Sequence, residues 1–429
     1  MTRLIAALAA AALLAAGCGG SSSDNSDTKP GGTVEITMWH GQNDIAGKVL
    51  GQLADEFNRT HKDIHITATT GGVVADQMRQ KITTALASGE YPDIAYIFGS
   101  DLANLARTPK VMDLTDKVKA PDFGWDDYYP PARDATMVNG RVRALPALVD
   151  DLAVVYNKKA FKAAGVPEPP SGGWTWDQFA ATSKALTDRS KGTFGTAWPA
   201  VGDEDTVWRT WPLVWQAGGE IITDDGKIGF DGEPGERAFD VVNRLAQDGS
   251  VYVDTKPDSD QTYQLFNNGK IGMVVTGPWQ LPDFIEAKDD FGVAPLPTFG
   301  GPALTISAPD TWTVFDNGKA RSDAAVTFVQ WLSSPDQDAK WVTKAGSLPL
   351  RKGTAAKPEW EQYQKDVPGV SVFLEGLDGA RVKPANPAYP RISEAVGQSL
   401  VAVLLKRAQP SDALQQAVET SEAVLAGGG

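Results

Sequence analysis

Residues 34–98 switch repeatedly between two hydrophobic periods, and this alternation constrains the fold more than any other feature. Val34-Glu35-Ile36-Thr37-Met38-Trp39 alternates apolar and polar residues, as a half-buried strand does. Ile45, Val49, Leu53 and Phe57 then recur every fourth residue, the apolar face of a helix. His65–Thr69 predicts a second strand, and Met78, Ile82 and Leu86 a second helix closed by Ser88-Gly89. Pro92–Phe98 predicts a buried third strand. A β-α-β-α-β order implies a mainly parallel sheet covered on both faces. Such sheets bind ligands beyond the carboxyl ends of their strands, which marks Trp39–Asp44 and Gly99–Leu102 as a candidate ligand edge.

The same pattern continues with less regularity. Leu152–Asn157 and Ile271–Val275 predict strands, the second running into Gly277-Pro278-Trp279. Helical spacing marks 158–164, 176–186, 208–216, 236–247, 324–332, 337–344, 392–405 and 412–425, and 296–302 reads as a turn-rich crossover. No repeat of fixed period is present. The 429 residues allow several domains and a core that needs no staples. A net charge of −14 argues against nucleic acid as a partner, since phosphate binding needs a basic surface. With three histidines and no third ligand near the His61/His65 pair, no metal or other cofactor is expected. No G-x-S-x-G or P-loop occurs, and no catalytic residue is assigned. The pair Asp150/Asp151 supplies two acids, but neighbours on an extended chain point to opposite sides and would flank a bond poorly.

The N-terminus reads as an address. Arg3 is followed by the apolar run Leu4–Ala16, too short to span a bilayer. Small residues then precede Cys18, the one cysteine in the chain. Leu14-Ala15-Ala16-Gly17-Cys18 resembles a bacterial lipobox, with Ala15 where that motif usually carries Leu. The resemblance implies a signal peptide over 1–17, lipidation of Cys18 and a membrane-tethered body; the plainer alternative is a secretory signal with an incidental cysteine. Residues 18–33 are rich in Gly, Ser and Asp and read as a flexible tether.

Beyond the tether, a series of ordered motifs carries a resemblance. These are Met38-Trp39 with its polar turn, Phe57-Asn58 before His65-Ile66, Pro92-Asp93-Ile94, and Tyr156-Asn157-Lys158 with Asp150 upstream. They continue with Thr210-Trp211-Pro212-Leu213, Ala217-Gly218-Gly219, Gly277-Pro278-Trp279, Leu296-Pro297 and Leu348-Pro349-Leu350-Arg351. Over residues 34–425 the chain resembles the carbohydrate-class extracellular solute-binding proteins of ABC importers, which include maltose-binding and glycerol-3-phosphate-binding proteins. The resemblance implies a periplasmic-binding-protein type II-like α/β fold, with two α/β lobes, three interlobe crossings and a central ligand cleft. Lobe 1 is expected at 34–149 with 297–349, and lobe 2 at 150–296 with 350–429. It further implies a monomeric, non-enzymatic receptor that closes on a sugar and delivers it to a membrane permease.

A sugar presents C–H faces and a rim of hydroxyls, so its site wants Trp faces beside carboxylate acceptors. Tryptophans (13) outnumber tyrosines (9) here. Trp279, after a Gly-Pro turn at a strand end, is the foremost stacking candidate. Trp208 and Trp211, three apart on an expected single helix, would share one face, with Trp208 the contact by the family match. Trp39, His40 and Gln42 end the first strand, and Ser100 and Asp101 follow the third. Asp150 sits at the first crossing, and Asp310 and Trp312 follow a Gly-Gly-Pro loop. Tyr389 resembles a late aromatic contact. Asp76 is either a contact or a favourable charge at a helix start, and Arg351 either meets an anionic ligand group or makes a hinge ion pair. Two further readings stay open: a receptor for a sugar phosphate or glycerophosphodiester, and a secreted carbohydrate-active enzyme.

Overall fold

The computed structural model of the chain describes residues 32–42, 44–72, 75–99, 101–256 and 260–427. The signal segment, Cys18, most of the tether and Ser100 lie outside the described residues, as does the side chain of Asp76.

Two five-stranded sheets organise the rest. The first runs in the order Ile64–Thr70, Val34–His40, Ile94–Ile97, Asp310–Val314, Leu145–Leu148. The second runs Phe291–Ala294, Ala153–Asn157, Ile271–Thr276, Phe194–Pro199, Val251–Asp254. Each sheet contains one strand opposed to all the others: Asp310–Val314 in the first and Ala153–Asn157 in the second. Each opposed strand is the one by which the chain arrives from the other sheet. The two crossing segments run side by side, because Leu148 pairs with Asp310 in one sheet and Val154 with Ala294 in the other. Between the sheets the Thr305 hydroxyl donates to the Leu152 carbonyl (2.9 Å) and accepts from the Leu152 N–H (3.2 Å). The fold is therefore two sheet-centred lobes joined by an antiparallel ribbon.

The alternation in Val34–His40 turns Ile36 and Met38 into the core that also takes Leu50, Leu53 and Phe57 of the helix Asp44–Thr60. All four residues of Ile94–Ile97 are buried, as a central strand requires. Helix Lys319–Leu332 covers the sheet, with Phe328 edge-on to Phe57 at 5.0 Å. The helices Lys352–Ala355 and Pro358–Asp366 pack on Pro335–Ala345 of the first lobe, whereas Val370–Gly376 packs on the second sheet. The second lobe is filled by aromatic residues, including the fully buried Trp176, Trp198, Trp211, Phe179 and Phe239. Much of the tryptophan surplus is thus core volume.

Asp93 ties the first lobe together. Its fully buried carboxylate receives both Nε (2.8 Å) and Nη2 (2.7 Å) of Arg321, the Asn317 amide (3.0 Å) and the Thr37 N–H (2.8 Å). One side chain thereby joins the first strand, the start of the third and the helix over them. Removing it takes away the carboxylate that holds a guanidinium and a strand N–H, so Asp93→Ala should lose about 3–5 kcal/mol in urea unfolding. A loss below about 1 kcal/mol, the scale of a surface ion pair, would contradict this role.

Candidate functional site

The carboxyl edge of the first sheet carries a row of polar groups. Tyr96, near the end of the central strand, donates its hydroxyl to Asp310 Oδ2 in a short hydrogen bond, and the Gly99 N–H donates to Oδ1 (3.0 Å). Gln42 also reaches the Tyr96 hydroxyl. Asp310 lies at this edge because it opens the opposed strand, beside the last residue of Ile94–Ile97. Asp101, buried, receives Arg79 at 3.2 Å. Asp150 joins the row from the first passage, its Oδ1 accepting the Ala308 N–H of the second passage (3.3 Å). Asp151 turns the other way. Its carboxyl is buried without a hydrogen-bond partner, and a methyl at Gly376 would lie 2.0 Å from its Oδ2.

Burial and mutual repulsion raise the proton affinity of this row. Asp150 is pushed well up by burial, then by the charge of Asp310. Burial pushes Asp310 up to about 6 against the hydrogen bond from Tyr96 and the field of Lys383. Asp151 is raised by burial and by Asp150. His40 is lowered by burial and by Lys81, and its Nδ1 accepts the Gln42 N–H (3.3 Å). The half-buried Trp39 beside it carries the Lys81 ammonium 4.2 Å from its ring centre, a cation–π contact.

The second lobe contributes an aromatic surface. Trp208 and Trp279, both half-buried, stack with ring centres 5.4 Å apart and planes 22° apart. Gly277 makes this possible: a methyl there would sit 1.6 Å from the Trp279 ring, which folds back over its own turn. Trp208 and Trp211 do not share a helix as the spacing suggested. Trp208 ends Glu204–Trp208, and Trp211 opens a new helix, Trp211–Gln216. Pro212 has no N–H to continue the first helix and suits the first turn of the second. The break sends Trp208 to the stack and Trp211 fully into the core, where its indole donates to the Tyr389 hydroxyl (3.0 Å).

Three other sequence candidates have their groups engaged in packing. Tyr389 is fully buried and donates to Glu204, and burial followed by the Glu204 charge raises its proton affinity well above the usual phenol range. Trp312 is buried edge-on to Tyr96 at 5.1 Å. Arg351 donates to the Gly124 carbonyl (2.9 Å), the Ser333 carbonyl (2.5 Å) and the Tyr128 hydroxyl (2.7 Å), fixing loops of the first lobe. Sequence reading missed Tyr96, Glu204 and Lys383. Glu204 receives Lys383 at 3.0 Å across 179 residues of chain, a separation no spacing rule detects.

The first lobe thus carries acceptors at its sheet edge, and the second carries a stacked aromatic surface. Gly277→Ala should displace the Trp279 ring at a cost of about 1–3 kcal/mol, the usual range for overpacking. The exciton couplet of the Trp208–Trp279 pair in circular dichroism should disappear with it. A retained couplet would contradict the described stack.

Known proteins share this architecture. The family model described as bacterial extracellular solute-binding protein matches residues 41–339. The chain is 24% identical over 417 residues to the sn-glycerol-3-phosphate-binding periplasmic protein of Pectobacterium atrosepticum, covering 91% of each. It matches the cyclic alpha-maltosyl-1,6-maltose binding protein of Arthrobacter globiformis with a TM-score of 0.77 at 25% identity, covering 92% of this chain and 100% of that one. An ABC substrate-binding protein of Listeria monocytogenes, in complex with cycloalternan, gives a TM-score of 0.83 at 21% identity over 92% of this chain and 99% of that one.

Proposed function

The chain belongs to the bacterial extracellular solute-binding proteins, and we propose that it is the lipid-anchored receptor of an ABC importer, capturing a sugar or oligosaccharide and handing it to a membrane permease. The observations that support this reading are the Trp208–Trp279 stack in one lobe and the buried acceptors Gln42, Asp101, Asp150 and Asp310 at the sheet edge of the other, and in this proposal the two sets face each other across the cleft. Indole faces cover the C–H surface of a pyranose, and carboxylates accept its hydroxyls. Trp39 and His40 extend the acceptor wall. Tyr389 and Trp211 act from behind the aromatic wall, and Trp312 from behind Tyr96. No cofactor enters this reading, and the receptor works as a monomer.

The expected lobe bounds shift in this proposal. Residues 297–306 go with lobe 2, because Thr298 pairs with Thr175 and Phe299, Leu304 and Ile306 pack in the second lobe's core. The helices over 352–366 go with lobe 1, because they pack on Pro335–Ala345. This leaves 34–149 with 307–366 as lobe 1 and 150–306 with 370–427 as lobe 2. Ligand touching both walls favours the closed arrangement by its differential affinity for it. A glycerophosphodiester or sugar phosphate is the second reading, supported by the likeness to the glycerol-3-phosphate-binding protein. Against it, Lys383 is the cation whose field reaches the carboxylates, and Glu204 already holds it at 3.0 Å. A carbohydrate-active enzyme is disfavoured because Asp150 and Asp151 turn apart and share no bound substrate position.

No helix among the described residues is long and apolar enough to cross a membrane. Membrane attachment in this proposal comes from a diacylglycerol on Cys18 of the lipobox-like Leu14–Cys18, reinforced by acylation of the new N-terminus, since one chain gives only reversible binding. Cys18→Ala should move the protein from the membrane to the soluble fraction; an unchanged distribution would refute the anchor.

The functional test is a thermal-shift screen over neutral oligosaccharides, sugar phosphates and glycerophosphodiesters, followed by recovery of the bound compound. A neutral oligosaccharide should raise the melting temperature by mass action and return chemically unchanged. Trp279→Ala should weaken that ligand by about 2 kcal/mol, roughly thirtyfold, while the ligand-free melting point changes little. A shift produced by phosphorylated compounds alone would select the second reading, and a cleaved sugar would select the enzyme.

A further inference from the structure

We propose that Arg209 is a positioning residue of the aromatic surface, setting the spacing of Trp208 and Trp279 that receives the C–H faces of the ligand; the inference rests on the receptor reading above. The two rings come from segments far apart in the chain. Trp208 ends the five-residue helix Glu204–Trp208, and Trp279 follows the end of the strand Ile271–Thr276. A helix this short is not held in place by its own backbone hydrogen bonds. Its position relative to the strand has to come from side chains.

Arg209 directly follows Trp208, and its guanidinium joins the two segments. Nε donates to the Val275 carbonyl (2.9 Å), while Nη1 donates to the carbonyl (2.7 Å) and the carboxylate (2.6 Å) of Asp205. Val275 is the last residue but one of the strand that leads to Trp279, and Asp205 lies on the helix that ends in Trp208. Other ties of that helix lead elsewhere. The Thr206 carbonyl accepts the Trp198 indole (3.1 Å), its hydroxyl accepts the Gly202 N–H (2.9 Å), and Glu204 accepts the hydroxyls of Tyr389 (2.8 Å) and Ser393. These fix the helix to Phe194–Pro199 and Tyr389–Leu404, whereas Arg209 fixes it to the strand carrying the second ring.

The chemistry of the group suits this task. A guanidinium presents its N–H donors in a rigid planar fork, so partners on two segments are held at one separation and one angle. Arg209 is 4% exposed. Burying a cation costs stability that an apolar side chain of similar volume would not, so packing alone does not account for it. The fork adds a fixed geometry for the rings, with centres 5.4 Å apart and planes at 22°. A binding surface of this kind works when its groups are held to within about 0.5 Å and 10–20°.

The test compares purified wild type, Arg209→Met and Arg209→Lys. Circular dichroism well below the melting temperature reads the exciton couplet of the ring pair, which Trp208→Phe and Trp279→Phe identify. Calorimetry with a maltodextrin mixture reads affinity. Arg209→Met should lose most of the couplet and bind about tenfold more weakly, less than the roughly thirtyfold of removing the Trp279 ring. Arg209→Lys should fall between, since an ammonium is a point donor where the fork holds two segments. It also carries the test if the methionine variant does not fold. A folded variant with wild-type couplet and affinity would overturn the proposal whatever its melting temperature, because Arg209 would then only stabilise the lobe. A lost couplet with unchanged affinity would overturn it as well. Absence of any sugar binding in wild type would defeat the receptor reading instead, and the couplet would still decide whether Arg209 sets the spacing of the rings.

Discussion

Everything in this molecule hangs on the two passages that run side by side between the sheets. Because the chain leaves by one passage and returns by the next, the two are antiparallel and pair with each other in both lobes. That pairing explains why each sheet has one reversed strand. It also explains why residues more than a hundred positions apart meet at one level: Asp150 on the outgoing passage lies beside Ala308 on the returning one, which leads into Asp310. After the third passage, which lies between Asp366 and Val370, Ala380–Arg381 pairs with Thr305–Ile306 of the returning passage. Passages that join two sheet-centred lobes suit rotation of the lobes about a hinge.

The ribbon concentrates charge where burial is costly. Asp150 and Asp151 are almost fully buried, and Asp151 makes no hydrogen bond. A core built for stability alone would place apolar residues there. The compensation is local and incomplete: a backbone N–H for Asp150, and a tyrosine and a backbone N–H for Asp310. Acceptors that remain partly unsatisfied are what a ligand carrying many hydroxyls can complete. The second lobe follows the same logic with apolar surface, since Trp208 and Trp279 stay half-buried while neighbouring tryptophans are consumed by the core.

The amino-acid pattern revealed the alternating architecture of the first lobe because short connections keep each period intact. The edge positions Trp39, Gln42 and Asp101 were legible for the same reason, as strand ends in a sheet of known direction, whereas Asp150 was reached only through the family resemblance at the first crossing. Trp279 was legible from its Gly-Pro turn, though the close approach of its ring to Gly277 was not. Phe194–Pro199 escaped notice because its small and aromatic residues carry no clean period. The break between Trp208 and Trp211 was written in Pro212, yet helical spacing masked it. Arg351 and Tyr389 show a harder limit. Nothing local distinguishes a guanidinium spent on loop carbonyls from one aimed at a ligand, and the Glu204–Lys383 pair depends on tertiary closure alone.

The central claim is that two preformed walls on separate lobes come together around a carbohydrate. Small-angle X-ray scattering on the protein, with and without an oligosaccharide whose binding has been confirmed by calorimetry, tests it most directly. The account predicts a smaller radius of gyration in the bound state, because contact with both walls requires the lobes to approach. An identical radius with the site saturated would contradict it.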